Sequence, residues 1–391
     1  MMQNRLPTPH PTSPSPTLKT NPADPRRDLP LKARESSQGA TAALCEGSPY
    51  LVDPDRLGEV IGADEPSFRS TQLREWLYRN PVLHARDMTN LPGDLRRALS
   101  RRLWPFEVEE HQSADRGATQ KWLFRTGDQA AIESVVMGYR TRTTLCVSSQ
   151  AGCALACTFC ATGQFGFERQ LQAGEIVAQV AYANAFLRDH PHRGSPPRVT
   201  NVVFMGMGEP LANYPRVRKA IGLMIGEMGM SARSITVSTV GVAPGIRRLA
   251  DEPWPVNLAV SLHAADDKLR SRLVPLNRRY PLAEIEAAAS YFFEKKGRRV
   301  SLEWTMIRGV NDQPTQADRL VPIARRLRAH VNLIALNPTP FSTDMPSTPQ
   351  AIGRFVAALR QGGVNVTVRD TRGTEIDAAC GQLRVRSGRG S

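Results

Sequence analysis

The stretch GCALACTFCATG, residues 152–163, places three cysteines in the spacing C-x3-C-x2-C, at Cys153, Cys157 and Cys160. Four thiolates would complete the ligands of an iron–sulfur cube or of a zinc tetrahedron, and this stretch supplies three. One iron of a [4Fe–4S] cluster held here would have no protein ligand, and an open metal position is where a substrate or cosubstrate binds. The stretch therefore predicts a metal centre that takes part in chemistry.

This cysteine spacing resembles the signature of the radical S-adenosylmethionine (SAM) enzymes. In that superfamily the amino and carboxylate groups of SAM bind the fourth iron, and an electron from the cluster breaks the sulfonium bond to release a 5′-deoxyadenosyl radical. The resemblance implies a [4Fe–4S] cluster and SAM as cofactors. A zinc knuckle or three buried thiols are the alternatives. Three of the six cysteines lie within eight residues, and such crowding indicates metal ligation in a reducing compartment.

Length and composition bound the class of protein. The 391 residues are enough for one large domain and a smaller one, and an apolar content of 41% can form a sizeable core. The N-terminus lacks the apolar stretch of a secretory signal, and no apolar run approaches the roughly 18 residues that span a bilayer. We therefore expect a cytoplasmic protein with no membrane partner.

The net charge is strongly positive. Lys and Arg number 51 against 37 Asp and Glu, which gives a formal charge of +14. Residues 1–50 hold six basic and four acidic side chains, so +12 of the charge belongs to the rest of the chain. This excess favours a polyanionic partner, and nucleic acid is the first candidate. A solvated charged surface or a generally basic proteome would give the same excess.

The first part of the chain divides into a tail and a helical region. Residues 1–48 have eight prolines in their first thirty positions and no hydrophobic period, which predicts a disordered tail. Residues 49–106 are expected to form a small basic helical domain, because FRSTQLREWLYR (68–79) and LPGDLRRALSRRL (91–103) carry apolar residues at helical spacing. The density of arginines favours RNA docking over a role in packing alone.

The rest of the chain has the pattern of an α/β protein. Residues 107–142 form a predicted β-hairpin linker, because the alternating segment 119–142 is interrupted by the turn Gly127-Asp128. Within residues 143–385, six apolar runs alternate with helical stretches, as in a parallel sheet that curls into a barrel. The predicted fold is an incomplete (β/α)6 radical-SAM barrel that ends in a cysteine-bearing loop. The predicted strands are 143–149, 199–206, 234–241, 256–264, 300–307, 331–338 and 364–370, and residues 386–391 form a basic tail.

Polar residues follow four of these strands at their carboxyl ends, where the chemistry of such barrels collects. The glycines of GMGEP (206–210) allow a ligand to approach the backbone, and Glu209 can accept hydrogen bonds from an ammonium group. A lone Ser or His there would more often be structural, but four such sites beside the cysteines predict a cradle for SAM. The candidate SAM-binding residues are Gly208, Glu209, Ser238, Ser261, Leu262, His263 and Asn337.

The motifs, taken in chain order, resemble a narrower family. They match the bacterial RlmN branch of the RlmN/Cfr radical-SAM adenine methyltransferases over about residues 66–385, including FRSTQLREWLYR and MTNLP (88–92) in the helical region. The proline-rich tail lies outside the match. The motifs that carry the resemblance are CVSSQAGCALACTFCATGQFGF (146–167), GMGEPL (206–211), STVG (238–241), SLHA (261–264), NPTP (337–340) and RDTRGTEIDAACGQL (369–383).

The resemblance implies catalytic roles for three more residues. Cys380 would take a methyl group from one SAM, and a second SAM, cleaved at the cluster, would yield the radical that abstracts hydrogen from this S-methyl group. The methylene radical would add to an adenine carbon, and Cys146 would form a transient disulfide with Cys380 as the adduct breaks down. Glu133 matches the proton acceptor of the family. From the residues alone, either cysteine could be an inert buried thiol and Glu133 a surface carboxylate.

The resemblance also implies the partners. The substrates would be an adenine in the peptidyl-transferase region of 23S rRNA and the adenine beside the anticodon in certain tRNAs. The electron donor would be a flavodoxin or a ferredoxin, and the enzyme is expected to be a monomer. Three alternatives stay open: a Cfr-like enzyme that methylates C8 of adenine, a non-catalytic metal-bound RNA-binding protein, and a radical-SAM enzyme that acts on a peptide.

Overall fold

The computed structural model describes residues 47–62, 65–192, 194–339, 342–369, 372–379 and 381–383. The predicted disordered tail lies outside these residues except for Gly47 and Ser48. The predicted basic tail at 386–391 and the candidate catalytic residue Cys380 also lie outside them. Among the described residues, no helix combines the length and the apolar character that crossing a membrane would require.

One ten-stranded sheet organises the described chain, and a small two-stranded sheet lies apart from it. The strands are β1 (Phe106–Ala114), β2 (Thr119–Thr126), β3 (Ala131–Tyr139), β4 (Arg142–Cys146), β5 (Gln150–Gly152), β6 (Phe167–Gln170), β7 (Asn201–Phe204), β8 (Ile235–Thr239), β9 (Asn257–Ser261), β10 (Ser301–Met306), β11 (His330–Ala335) and β12 (Asn365–Val368). The large sheet has the order β1-β2-β3-β4-β7-β8-β9-β10-β11-β12, and β5 pairs with β6.

Helices separate the parallel strands. From β4 through β12 all neighbouring strands of the large sheet are parallel, which confirms the predicted α/β barrel and its six βα units. Each strand is shorter than the apolar run that predicted it. The α-helices are α1 (Gly58–Ile61), α2 (Phe68–Arg74), α3 (Gly93–Ser100), α4 (Ala161–Phe165), α5 (Ala173–Asp189), α6 (Tyr214–Gly226), α7 (Ala243–Asp251), α8 (Asp267–Leu273), α9 (Leu282–Lys296), α10 (Pro314–Arg326) and α11 (Pro349–Gln361).

The predicted hairpin is part of a three-stranded antiparallel unit. Strands β2 and β3 pair around the turn at Gly127-Asp128, as the alternation predicted. Strand β1 was not predicted, because only its two end residues are buried and its middle is polar and exposed. Such a polar strand is typical of a sheet edge. Since β3 also pairs with β4, this unit continues directly into the barrel sheet.

The N-terminal helical region shares its hydrophobic core with the barrel. Trp104 stacks on Tyr50 at a centroid distance of 5.2 Å and meets the ring of Tyr182 on α5 edge-on at 5.2 Å. A Cβ atom on Gly174 of α5 would lie 1.9 Å from the carbonyl oxygen of Tyr50, so only glycine allows this contact. Helix α5 is therefore covered on both sides, which explains why 12 of its 17 residues are buried.

Candidate active site

One cavity at the carboxyl ends of the barrel strands brings together nine of the ten predicted cluster and SAM residues. The tenth, Leu262, is 1% exposed, and its side chain belongs to the main core instead. This follows from the alternation of side chains along β9, which turns Ser261 toward the cavity and its neighbour away from it. The predicted residues that line the cavity are Cys153, Cys157, Cys160, Gly208, Glu209, Ser238, Ser261, His263 and Asn337.

The three cysteines of the motif lie beyond the carboxyl end of β4, in the loop between β5 and α4. Burial raises the pKa of the Cys153 thiol to about 12, and the nearby Cys160 and Glu209 add to the rise. Burial also raises the pKa of Cys157, again with the other two cysteines contributing. Three thiolates crowded into such a place repel one another, and bound cations would remove this penalty.

The donor set fits three corners of an iron–sulfur cube. In a cube each cysteine binds a separate iron, so the three sulfurs need not converge on one ion. Within the described part of the chain, no three His, Cys, Asp or Glu side chains are arranged to hold a single metal ion. Cys157 is buried, Cys153 and Cys160 are partly buried, and all three line the cavity, which suits a cluster with one accessible iron.

Three hydrogen bonds donated by backbone amides fix Glu209, which lines the cavity. Its two carboxylate oxygens accept hydrogen bonds of 3.0 Å from the amides of Leu211 and Val240, and its own amide donates to Gln150 Oε1 at 2.8 Å. The preceding Gly208 has a φ of +97°, and a Cβ there would lie 2.5 Å from the Gln150 side chain. Burial raises the pKa of Glu209 to about 7, so a ligand ammonium group would favour its charged form.

A second buried carboxylate, Glu303, lines the same cavity and was not predicted. It lies on β10, in register with Ser261 on β9 and Asn332 on β11. Asn332 Nδ2 donates to its Oε1 at 2.8 Å, whereas Oε2 has no hydrogen-bond partner among the described residues although Glu303 is only 4% exposed. A buried acceptor without a donor is costly, so this atom fits a hydroxyl or amine donor of a bound SAM.

Replacing Glu303 by glutamine is expected to weaken SAM binding by about tenfold or more, because the carboxylate offers one oxygen to Asn332 and the other to a ligand hydroxyl, whereas the amide of glutamine has a single acceptor atom. Equilibrium dialysis of labelled SAM against the cluster-loaded protein measures this. Iron content measured on the same samples serves as the control, since Glu303 is not one of the predicted cluster ligands. Unchanged SAM affinity at full iron content would refute the contact.

His263 is a neutral hydrogen-bond donor at the cavity wall. Its Nδ1 accepts from the Thr305 amide at 3.0 Å, which leaves the ring proton on Nε2, and its carbonyl accepts from Asn311 Nδ2 at 2.8 Å. Burial, with a contribution from the nearby Arg270, lowers the pKa of His263 to about 3. The imidazole therefore stays uncharged throughout the physiological range and can act only as a neutral donor.

Arg270 is fully buried and ties the strand ends around the site together. Its guanidinium donates to the carbonyls of Leu262 at 2.9 Å and Ser261 at 3.2 Å, to Val240, and to Asn277 Oδ1 at 2.8 Å. Sequence reasoning did not find this residue, because an arginine in a helix such as DKLRSRL is usually solvated. The contacts fix the carboxyl ends of β8 and β9 and the residues just after them, the region of Ser238, Ser261 and His263.

The pKa of His263 makes the stability of the fold depend on pH in a predictable direction. Between about pH 3 and its ordinary value of 6.5, the unfolded chain binds more protons at this residue than the folded chain, so acidification destabilises the fold. From pH 7 to pH 5 the loss from this one group is about 2 kcal/mol.

His263→Asn should remove that loss. Asparagine keeps an acceptor for the Thr305 amide and tolerates the positive φ of 60° at this position. Denaturant unfolding of wild type and variant at both pH values measures the difference, and any proton uptake by other groups cancels in the comparison. An equal pH dependence in the two proteins would contradict the prediction.

Cys146 lies in an adjoining cavity. It is 6% exposed at the end of β4, and it lines this second cavity together with Met137, Ala379 and Leu383. Met205, Ile334, Asn337 and Arg369 line both cavities, so the two are neighbours.

The residues that flank Cys380 accept hydrogen bonds from the residues that follow the cysteine motif. The amide of Ala161, the residue after Cys160, donates to the carbonyl of Gly381 at 2.8 Å. Thr162 Oγ1 donates to the carbonyl of Leu383 at 2.7 Å. Gly381 lines the first cavity and Ala379 the second. The residues on either side of Cys380 therefore lie at both predicted parts of the site.

Glu133 is a buried carboxylate, which excludes the surface position considered as an alternative. It is 2% exposed on β3, and its Oε1 lies 2.9 Å from Nζ of Lys121. Two residues further along the strand, Val135 pairs with Cys146. Because alternate residues of a strand share a face, Glu133 lies on the same face of the sheet as Cys146.

Known proteins resemble the chain closely. The sequence pattern of the Radical SAM superfamily matches residues 147–320. A probable dual-specificity RNA methyltransferase RlmN of Rhodococcus opacus strain B4 is 50% identical over 332 residues, which cover 82% of this chain and 90% of that protein. The protein of the same name from Salinispora tropica is 48% identical over 349 residues, with 87% and 94% covered.

The fold has a close structural relative as well. The crystal structure of a radical SAM methyltransferase from Sphaerobacter thermophilus superposes with a TM-score of 0.81 at 46% identity, covering 86% of this chain and 99% of that one. The superfamily uses a [4Fe–4S] cluster and SAM, and the cysteine motif and the cavity described above suit both. With half of its aligned residues identical to curated RlmN proteins, the chain belongs to the RlmN family and is a SAM-dependent methyltransferase of the radical-SAM superfamily.

Proposed function

We propose that this enzyme methylates C2 of adenine in RNA and carries the methyl group on Cys380. The observation that supports this most strongly is the position of the residues beside Cys380. Gly381 lines the cavity of the cysteine motif, and Ala379 lines the cavity of Cys146. A methyl carrier must reach both a source of radicals and a second thiol. Gly381 lies at the cavity proposed for the radical source, and Ala379 lies at the cavity of the second thiol.

The first cavity would hold the cofactors. Cys153, Cys157 and Cys160 would bind three irons of a [4Fe–4S] cluster, which supplies the electron that cleaves SAM when both are bound. Glu209 would take the amino group of SAM, since its carboxylate is buried and fixed by backbone amides. The nucleoside part would contact the remaining polar side chains of the cavity, which are Ser238, Ser261, His263, Glu303 and Asn337.

The chemistry at Cys380 requires two SAM molecules per turnover. Cys380 would take its methyl group from one SAM by displacement at its sulfur, and the other SAM would supply the radical that removes a hydrogen atom from the S-methyl group. An adenine C2 carbon is electron-poor, so a carbon radical can add where transfer of a methyl cation cannot. Glu133 would accept the C2 proton, and Cys146 would form a disulfide with Cys380 as the bond between that sulfur and the transferred carbon breaks.

The names of the relatives support an RNA substrate, because proteins named dual-specificity RNA methyltransferases align with most of this chain. We propose as targets the two that the motif resemblance implies, an adenine of 23S rRNA and the anticodon-adjacent adenine of tRNA. Such a base must leave its stack to enter a buried site. The basic helical region at 49–106 would bind the surrounding phosphates. We further propose a cytoplasmic monomer that receives electrons from a flavodoxin or a ferredoxin.

Anaerobic reconstitution followed by nucleoside analysis tests the proposal. The cluster-loaded protein, with SAM and a reductant, is incubated with 23S rRNA and tRNA from a strain that lacks its own enzyme. Mass spectrometry is expected to find 2-methyladenosine in both RNAs. Only 8-methyladenosine would identify a Cfr-like enzyme, and RNA retention without any methylation would identify a binding protein.

A further inference from the structure

Lys121 is a buried lysine that none of the roles described above uses. It lies in β2, is 7% exposed, and directs its ammonium group at three acceptors. Nζ lies 2.9 Å from Glu133 Oε1, 3.0 Å from the carbonyl oxygen of Ile376 and 3.3 Å from that of Asp377. An ammonium group has three N–H donors, so each can be matched to one of these acceptors. Lysines are seldom buried without such a reason.

The strand register puts this lysine on the face of the sheet where Cys146 lies. Lys121 on β2 is opposite Val135 on β3, and Val135 is opposite Cys146 on β4. Residues that face each other across antiparallel strands point to the same side, so the three form a row. Val135 and Cys146 also belong to a hydrophobic cluster with Ala378 and Leu383 from the C-terminal loop.

The acceptors of Lys121 belong to two different parts of the proposed chemistry. Glu133 is the proposed proton acceptor. Ile376 and Asp377 precede Cys380 by four and three residues in the loop that carries it. One side chain therefore connects the base to the loop of the methyl carrier.

We propose that Lys121 is a positioning residue that sets the distance between the Glu133 carboxylate and the loop of Cys380. This inference rests on the proposed function. In the adduct, the methylene carbon on Cys380 is bonded to adenine C2. Glu133 then takes the C2 proton while the electron pair of the C–H bond stays on the ring. The ammonium group of Lys121 lies against the carboxylate before this step and fixes its position. Once Glu133 is protonated, the two loop carbonyls still satisfy the ammonium group.

The inference predicts that Lys121→Met slows the removal of the C2 proton and leaves earlier steps intact. The variant should still load the cluster and methylate Cys380, which iron analysis and peptide mass spectrometry measure. Formation of 2-methyladenosine should fall by about 100-fold, the loss typical of misplaced catalytic groups. A covalent protein–RNA adduct should accumulate and be visible on a denaturing gel, which a purely structural role would not produce.

Three companion variants make the test specific. Glu133→Gln should give the same adduct, and Lys121→Met combined with Glu133→Gln should be no slower than Glu133→Gln alone, because both act on one step. Cys380→Ala should give no adduct in any background. Lys121→Arg keeps the charge but changes the direction of the donors, so it should retain more activity than Lys121→Met and still show some adduct.

The outcomes separate this inference from the proposed function. If wild type forms neither S-methyl Cys380 nor 2-methyladenosine, the proposed function fails. If wild type is active and Lys121→Met matches its rate without an adduct, only the inference fails. If Lys121→Met does not load the cluster, Lys121→Arg decides: an adduct supports the role, and wild-type turnover without an adduct overturns it.

Discussion

Replacing Cys157 by alanine is expected to reduce RNA methylation to background. Two remaining thiolates would leave two irons of the cube without protein ligands, and the cluster would not be retained. The side chain is 6% exposed and packs in a small hydrophobic cluster, so alanine fits the space and the fold should survive. Iron and sulfide analysis after anaerobic reconstitution should show the loss, together with the absence of methylated nucleoside.

Cys45→Ala is the matched control for this experiment. Cys45 lies in the proline-rich tail, outside the resemblance and outside the described residues, and carries no predicted role. Its replacement should leave iron content and product formation at the wild-type level. A Cys157→Ala protein with full iron content and normal product would disprove the assignment of the three-cysteine motif.

Replacing Cys380 by alanine should abolish product as completely but by a different route. The cluster ligands are unchanged, so iron content and SAM binding should stay at the wild-type level. The sulfur that receives the methyl group is missing, so no methylated peptide and no 2-methyladenosine should form. Peptide mass spectrometry and nucleoside analysis of the same reaction measure the two losses.

Cys146→Ala provides the comparison for Cys380→Ala. This variant keeps the methyl carrier but lacks the thiol that closes the disulfide, so it should methylate Cys380 and then retain the RNA covalently. A Cys380→Ala enzyme that still methylates RNA would exclude the carrier mechanism and would favour direct transfer from SAM.

The barrel could be predicted from sequence because most of its strands are largely buried, although three of the four residues of β12 are exposed. Nearly continuous apolar runs such as residues 256–264 predict strands of a parallel sheet, and the structure confirms all seven predicted strands. The runs were longer than the strands because residues just after a strand, such as Leu262 and His263 after β9, are buried although they lie outside the strand. Strand β1 could not be predicted, because its polar middle has no apolar period.

The site could be predicted only where a motif had a fixed spacing. The cysteines share one short motif, the other candidates lie in short motifs near the ends of successive strands, and nine of these residues line one cavity. Lys121, Arg270 and Glu303 could not be found in this way. Each acts through partners 7 to 256 residues away, and a single lysine, arginine or glutamate in the sequence ordinarily faces water.

The contact of Gly174 with Tyr50 has a consequence for how the protein evolves and unfolds. The helical region and the barrel touch at a point that leaves no room for a side chain at residue 174. A substitution in one of the two parts therefore has to be compatible with the other part. The helical region that we propose binds RNA would then unfold together with the barrel in a single cooperative transition. Slowly exchanging amides should extend from α5 into the segment around Tyr50. A truncated protein that begins at residue 107 would expose apolar helix surface and precipitate.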